Sequence, residues 1–128
     1  MTEGLFAILV VDDEQDTLYL MTQILRQGGV TVIGAASIKD ATAILKEHSE
    51  IKLIFLDNHL SDGCGCEFIG RFKTFVSAHI KVISAYATDC ELNLANDNGA
   101  DGFITKPFIK EQILEYIEVC DKAAIRLD

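Results

Sequence analysis

A seven-residue run, Ile51 to Asp57, limits what this chain can fold into more than any other stretch. It is apolar at every position except Lys52, and it stops on a carboxylate. A run this short, rich in Ile, Leu and Phe and bounded by polar residues, fits a strand buried on both faces of a parallel sheet. Open α/β sheets present the carboxyl ends of their strands to ligands, so Asp57 is expected at the mouth of a cleft.

The rest of the chain repeats the theme. Leu5 to Val11 is a second buried strand, and it ends on Asp12, Asp13 and Glu14. From Gln15 the apolar period lengthens: Leu18, Met21, Ile24 and Leu25 give an amphipathic helix, which Gly28 and Gly29 stop. Val30 to Ala36 is a more polar strand. Ser37, with Asp40 three residues on, reads as a capping box for a helix whose buried stripe is Ile38, Ala41 and Leu45. Asn58 to Gly65 is a loop. Glu67 to Val76 is a helix turning Phe68, Ile69, Phe72 and Phe75 or Val76 inward. Ile80 to Ile83 is a strand ending on Ser84. Thr88 and Glu91 form a second capping box, opening a conspicuously polar helix that ends near Asn98 and Gly99. With so little to bury, that helix is expected to be held less firmly than the others. Gly102 to Thr105 is the last strand, running into Lys106 and Pro107. A final helix places Ile113, Ile117 and Cys120 on one stripe, and Ala123 to Asp128 is a tail. Five strands alternating with five helices imply right-handed crossovers and a parallel sheet covered on both faces.

The 128 residues read as one domain, residues 1–128, with no output domain in this chain. A formal charge of −9 argues against direct nucleic-acid or membrane-surface binding. No apolar run is long enough to span a bilayer, and Met1 to Gly4 has no basic region of a signal peptide. Cys64, Cys66, Cys90 and Cys120 match no zinc spacing, and are expected to be reduced thiols of a cytoplasmic protein. His48 and His79, at helix–strand junctions, are expected at the surface.

Polar residues collect where four strands end: Asp12 and Asp13, Asp57, Ser84, and Lys106. Each alone is ordinary, as a turn, cap or strand-exit residue. In a flavodoxin-like strand order 2-1-3-4-5, however, the first and third strands are neighbours, and Asp12 and Asp13 come beside Asp57. Three carboxylates cannot all stay ionised together without help. A hard divalent cation, Mg²⁺ or Mn²⁺, suits oxygen ligands; with Lys106 it brings the cluster to neutrality. Such a site can accept a phosphoryl group, with metal and lysine meeting its oxygens and Ser84 donating a hydrogen bond.

Val10 to Glu14, Leu56 and Asp57, Ile83 to Ala85, and Gly99 to Phe108 together resemble the receiver domain of two-component response regulators, over nearly the whole chain. The resemblance implies the (βα)5 flavodoxin-like fold, a three-layer sandwich around a sheet of order 2-1-3-4-5. It implies Asp57 as phosphoacceptor, taking a phosphoryl group from a phosphohistidine on a histidine kinase or phosphotransfer protein. Asp13, Asp57 and the backbone carbonyl of His59 would bind Mg²⁺ directly, and Asp12 through water. Lys106 would pair with the phosphoryl oxygens. Ser84 would move toward the new phosphate and Phe103 would swing into the space it leaves. The Lys106–Pro107 bond would be cis. His59 and Tyr86 would flank the path of attacking water and tune slow autodephosphorylation. The first helix would dock the phosphodonor. An output protein or domain would read the switch, and a homodimer through the Thr88–Asn98 and Ile109–Cys120 helices is a further candidate. The chain would be a signalling domain rather than an enzyme.

The sequence also departs from the family pattern. Ser61 stands where Pro is frequent, so the loop after Asp57 is expected to be looser, with Gly65 retained. Phe103 stands where Tyr is common, so readout must rest on shape, and Cys64 replaces a frequent acid. Rival readings are a phosphorylation-independent receiver-like interaction domain, an FMN-binding flavodoxin-like domain, and an aspartyl-nucleophile phosphatase. Asp12 to Asp16 would repel a bare flavin phosphate. The D-x-D spacing of the phosphatases is absent.

Overall fold

The computed structural model describes residues 6–115. Strand β1 (Ala7–Val11) leads to helix α1 (Gln15–Arg26), β2 (Thr31–Ala35), α2 (Ile38–Glu47) and β3 (Ile51–Asp57). Then come α3 (Ile69–Phe75), β4 (His79–Ser84), α4 (Asp89–Asp97) and β5 (Gly102–Thr105), and residues 110–115 are helical. The five strands are parallel, in the order β2-β1-β3-β4-β5. The expected flavodoxin-like α/β sandwich is therefore the fold. Ile117, Cys120 and the tail from Ala123 lie outside the described residues, as does Leu5 of the first expected strand.

Two cores follow from the alternation of side chains along the strands. On one face Leu9, Val11, Ile54, Leu56, Ile80 and Val82 pack under α2, α3 and Ala95 of α4. On the other, Ile8, Val10, Leu53, Phe55, Ile83 and Ile104 pack under Met21, Ile24 and Leu25 of α1 and under Ile113. All seven residues of β3 but Lys52 are buried. The edge strand β2 is only partly buried, with Thr31 and Gly34 exposed, which fits its weak polar character.

Three local readings change. The third helix begins as a 3-10 turn, Gly65–Phe68, before its α-helical part, because Gly65 and Cys66 are pulled flat against the end of β3. Phe68 and Phe75 are only half-buried, while Ile69, Phe72 and Val76 carry the contact. The loop after Asp57 holds a small antiparallel ribbon, His59–Leu60 against Gly63–Cys64. The ribbon is tied down rather than loose. Asp62 accepts the backbone N–H groups of Ile38 (3.0 Å) and Lys39 (3.1 Å), satisfying two orphan donors at the start of α2.

Ser37 caps α2 as expected, accepting the Asp40 N–H at 3.0 Å. Thr88 caps α4 by accepting the Glu91 N–H at 3.2 Å, and Ala95 is that helix's one buried residue. The Glu91 carboxylate, expected to close a capping box, instead reaches across to the loop after β3.

Candidate functional site

Sheet register assembles the site. Val11 pairs with Leu56, so the next residue of each strand, Asp12 and Asp57, leave the sheet side by side. Asp57 pairs with Ile83, and Ser84 with Thr105, so Ser84 and Lys106 follow at the same rim. Carboxylate oxygens of Asp12, Asp13 and Asp57 all lie within 4.8 Å of one another, and Asp12 and Asp57 are buried. The Lys106 ammonium sits 3.1 Å from Asp12, 3.5 Å from Asp57 and 3.3 Å from Glu14. The Lys106–Pro107 peptide is cis.

Electrostatics at the rim are unbalanced in the way three close acids predict. Burial pushes the Asp57 carboxyl up to about 6; the His59 N–H at 3.1 Å opposes this, neighbouring Asp12 adds to it, and Lys106 counters it. Burial works against the Lys106 ammonium, but Asp12, Asp57 and Glu14 outweigh it and hold it above its ordinary range. One lysine cannot neutralise three carboxylates. The donor set, all oxygen and with two members buried, fits a hard divalent cation.

The backbone around Asp57 is fixed on both sides. Asn58 N–H donates to Ile83 O (3.1 Å), and Gly65 N–H donates to Asn58 O (3.0 Å). Gly65 packs so closely that a Cβ there would lie 2.3 Å from the Asp57 carbonyl oxygen. Buried Asn58 spends its side chain as a junction. Its Oδ1 accepts the Cys66 N–H and the Cys64 thiol, both at 3.0 Å, and its Nδ2 donates to Glu91 at 3.0 Å.

Ser84 is fully buried; its hydroxyl donates to Glu91 Oε1 at 2.8 Å and accepts the Tyr86 N–H at 3.0 Å. His59 and Tyr86, both exposed, meet edge to face with ring centroids 5.1 Å apart, and His59 Nε2 lies 2.8 Å from Glu91. Phe103 is half-buried, packed toward the core under α4. His79 is exposed, and half-buried His48 pairs with Glu50 at 2.8 Å.

Every site residue the sequence singled out at a strand end is thus at this rim, with Phe103 on the adjoining face. Sequence reasoning missed Asn58 and Glu91. Asn after a strand reads as a turn residue, and Glu three residues after Thr reads as a cap partner. Only the position of α4 over the loop after β3 reveals their common purpose. Cys64, Cys66 and Cys90 are free thiols, and Cys120 lies outside the described residues. Burial, with Cys64 and Glu91 nearby, pushes the Cys66 thiol up to about 12, so it stays protonated and inert.

Comparison with known proteins agrees with this geometry. Residues 8–118 match the family model described as the response regulator receiver domain. The transcriptional regulatory protein KdpE of Mycobacterium tuberculosis is 31% identical over 119 residues, covering 93% of this chain and 50% of that protein. The chain thus spans about half the length of that relative. A CheY-like receiver domain protein from Methanospirillum hungatei superposes with a TM-score of 0.88 at 26% identity, covering 97% of this chain and 99% of that one. A Burkholderia pseudomallei response regulator, solved with a phosphorylated aspartic acid, a calcium ion and citrate, gives a TM-score of 0.80 at 25% identity, covering 94% and 74%. With strand order, rim and family model in agreement, the chain belongs to the response regulator receiver domains of two-component signalling systems.

Proposed function

We propose that Asp57 is the phosphoacceptor of this receiver domain. The observation that carries the reading is the convergence of Asp12, Asp13, Asp57 and Lys106 at one rim, with a buried carboxylate on the central strand. One carboxylate oxygen of Asp57 attacks the phosphorus of a phosphohistidine; the P–N bond breaks and its electron pair leaves with the imidazole, which takes up a proton. Asp13, Asp57 and the His59 carbonyl would hold Mg²⁺ or Mn²⁺, with Asp12 completing the acidic set around it. The ion supplies charge neutralisation at the transferring group. The calcium ion and phosphorylated aspartic acid of the Burkholderia protein support that assignment by analogy. Lys106 already stands 3.5 Å from Asp57 and meets the phosphoryl oxygens. Ser84 then turns to the phosphoryl group, Phe103 follows inward, and α4 shifts. His59 and Tyr86 flank the approach of water in slow autodephosphorylation.

The phosphodonor, a histidine kinase or phosphotransfer protein, docks on α1, which exposes the large apolar side chains Tyr19 (69%) and Leu20 (52%). Truncating both to Ala is expected to slow transfer from a phosphohistidine donor about tenfold, as loss of an interface anchor does. Labelling by acetyl phosphate should be unchanged. Equal slowing with both donors would remove the docking role. Output passes to a protein or attached domain through α4 and the helix from residue 110; Leu92 on α4 and Ile109 just before that helix are exposed apolar residues that a homodimer through these helices would cover. Free Cys64, Cys66 and Cys90 support a cytoplasmic setting, and no helix among the described residues is long and apolar enough to cross a membrane. The flavin alternative finds no phosphate cradle, since the turn after β1 presents Asp12, Asp13 and Glu14.

The test is mass spectrometry after incubation with acetyl phosphate and Mg²⁺. One phosphoryl adduct is expected, mapping to Asp57 and absent when Mg²⁺ is removed with EDTA. An adduct on another residue sinks Asp57 as the acceptor, and no adduct at all sinks the reading and would leave a phosphorylation-independent interaction domain.

A further inference from the structure

One carboxylate ties the polar helix to the rim. Glu91, in the first turn of α4, is only 16% exposed at its side chain. Its Oε1 accepts the Ser84 hydroxyl (2.8 Å) and the Asn58 amide (3.0 Å), and its Oε2 meets His59 Nε2 (2.8 Å). Burial pushes the Glu91 carboxyl up, but these three partners outweigh it and hold the group below its ordinary value, so it is an anion. Beyond them, the helix has little grip on the body, since Ala95 is its one buried residue.

The Ser84 hydroxyl has a single proton, and in this structure Glu91 takes it. A serine so engaged cannot donate to a phosphoryl oxygen on Asp57. We propose that Glu91 is a positioning residue that latches α4 to the unphosphorylated site, so that phosphoryl uptake must break the Glu91–Ser84 bond and thereby release the first turn of α4. The inference rests on Asp57 as phosphoacceptor and adds the contact that opposes the switch. Three donors on one anion make the latch firm, yet one of them is the group the phosphoryl oxygen recruits. The phosphoryl group also brings negative charge toward an existing carboxylate, which favours separation. A hydrogen bond to a charged group corresponds to roughly a tenfold change in an equilibrium constant.

The experiment is a beryllofluoride titration in Mg²⁺, followed by amide NMR of the full chain. Glu91→Ala is expected to bind about tenfold tighter than the parent. In the metal-free protein, its amides from Ala85 to Leu94 should already be displaced toward their beryllofluoride positions. Glu91→Gln, which keeps side-chain length and leaves the Thr88 cap intact, should move the same way by less. In a Ser84→Ala background the gain from Glu91→Ala should vanish, because the latched hydroxyl is gone. An unchanged or weakened affinity in both Glu91 variants would overturn the latch. So would a full gain retained without the Ser84 hydroxyl, which would assign the effect to charge repulsion alone. If the parent binds beryllofluoride normally, those results leave Asp57 as acceptor untouched. A parent that binds none overturns both readings.

Discussion

Asp57→Asn is expected to take up no phosphoryl group and, without metal, to melt higher than the parent. The first half follows from chemistry, since an amide has no anionic oxygen with which to attack phosphorus. The second follows from electrostatics. Asp57 is 5% exposed, and its carboxyl is raised from 3.8 to about 6, mainly by burial. A group whose folded value lies above its unfolded value binds protons more tightly in the fold. Well below pH 4 it is protonated in both states and costs nothing. As pH rises through about 4 to 6 the unfolded carboxyl ionises while the folded one still holds its proton, so stability falls, and above this window the penalty is complete. A shift of this size corresponds to about 2–3 kcal/mol at neutral pH. Asparagine removes the ionisation and should recover about 1–3 kcal/mol, the opposing effects of the His59 N–H and Lys106 being already contained in the net shift. Thermal melts in EDTA at pH 7 and pH 4 check this: the gain should be present at the first and shrink toward the second. Adding Mg²⁺ should raise the melting point of the parent much more than that of the variant. A variant that melts no higher than the parent at pH 7 would contradict the claim that this rim is electrostatically overloaded.

Gly65→Ala should be among the most damaging single-methyl additions in the chain. The new Cβ would lie 2.3 Å from the Asp57 carbonyl oxygen, 3.2 Å from its carbonyl carbon and 3.0 Å from Leu56 Cγ. Backbone atoms on both sides are committed: β3 is the middle strand of the sheet, and the Gly65 N–H is held by Asn58 O. Neither can yield without breaking hydrogen bonds, so the overpacking is expected to cost about 3 kcal/mol in urea unfolding. What folds should also phosphorylate at least about tenfold more slowly, because the displaced segment carries the acceptor, and ångström-scale misplacement is costly. Gly70→Ala is the matched control. Its Cβ would meet nothing within 4 Å on the surface of α3, so it should be neutral or stabilising by about 0.5–1 kcal/mol. If the two variants were equally stable, the close approach at Gly65 would carry no cost.

The comparison of these two glycines also marks where sequence reading ends. Both are single Gly residues near the start of one helix, and periodicity treats them alike. The strands were legible because burial on two faces imposes long apolar runs, as in Ile51 to Leu56. The polar residues closing those runs were legible only as a set: each alone is an ordinary turn, cap or exit residue, but together they fall on strands whose order brings them to one rim. Glu91 and Asn58 were not. Each satisfies a local rule, as cap partner and turn residue, so nothing in its neighbourhood reports that it is engaged 33 residues away. The same limit hid the 3-10 start of the third helix, which packing of Gly65 and Cys66 against β3 imposes. Local signals find elements and the ends of strands, while contacts between loops are set by how the elements stack.

The staggered pairing of the strands has a consequence for how such a chain can drift. Each reactive side chain lies one step beyond a paired residue of the neighbouring strand, so the sheet works as a ruler that sets the rim to single-residue accuracy. Insertions in the Gly28–Gly29 turn or the His48–Glu50 loop leave the ruler unread and should be absorbed. A single added or deleted residue within β1, β3 or β4 would turn its carboxylate or hydroxyl to the opposite face of the sheet. Length variation among working copies of this domain should therefore be confined to its helices and their connections.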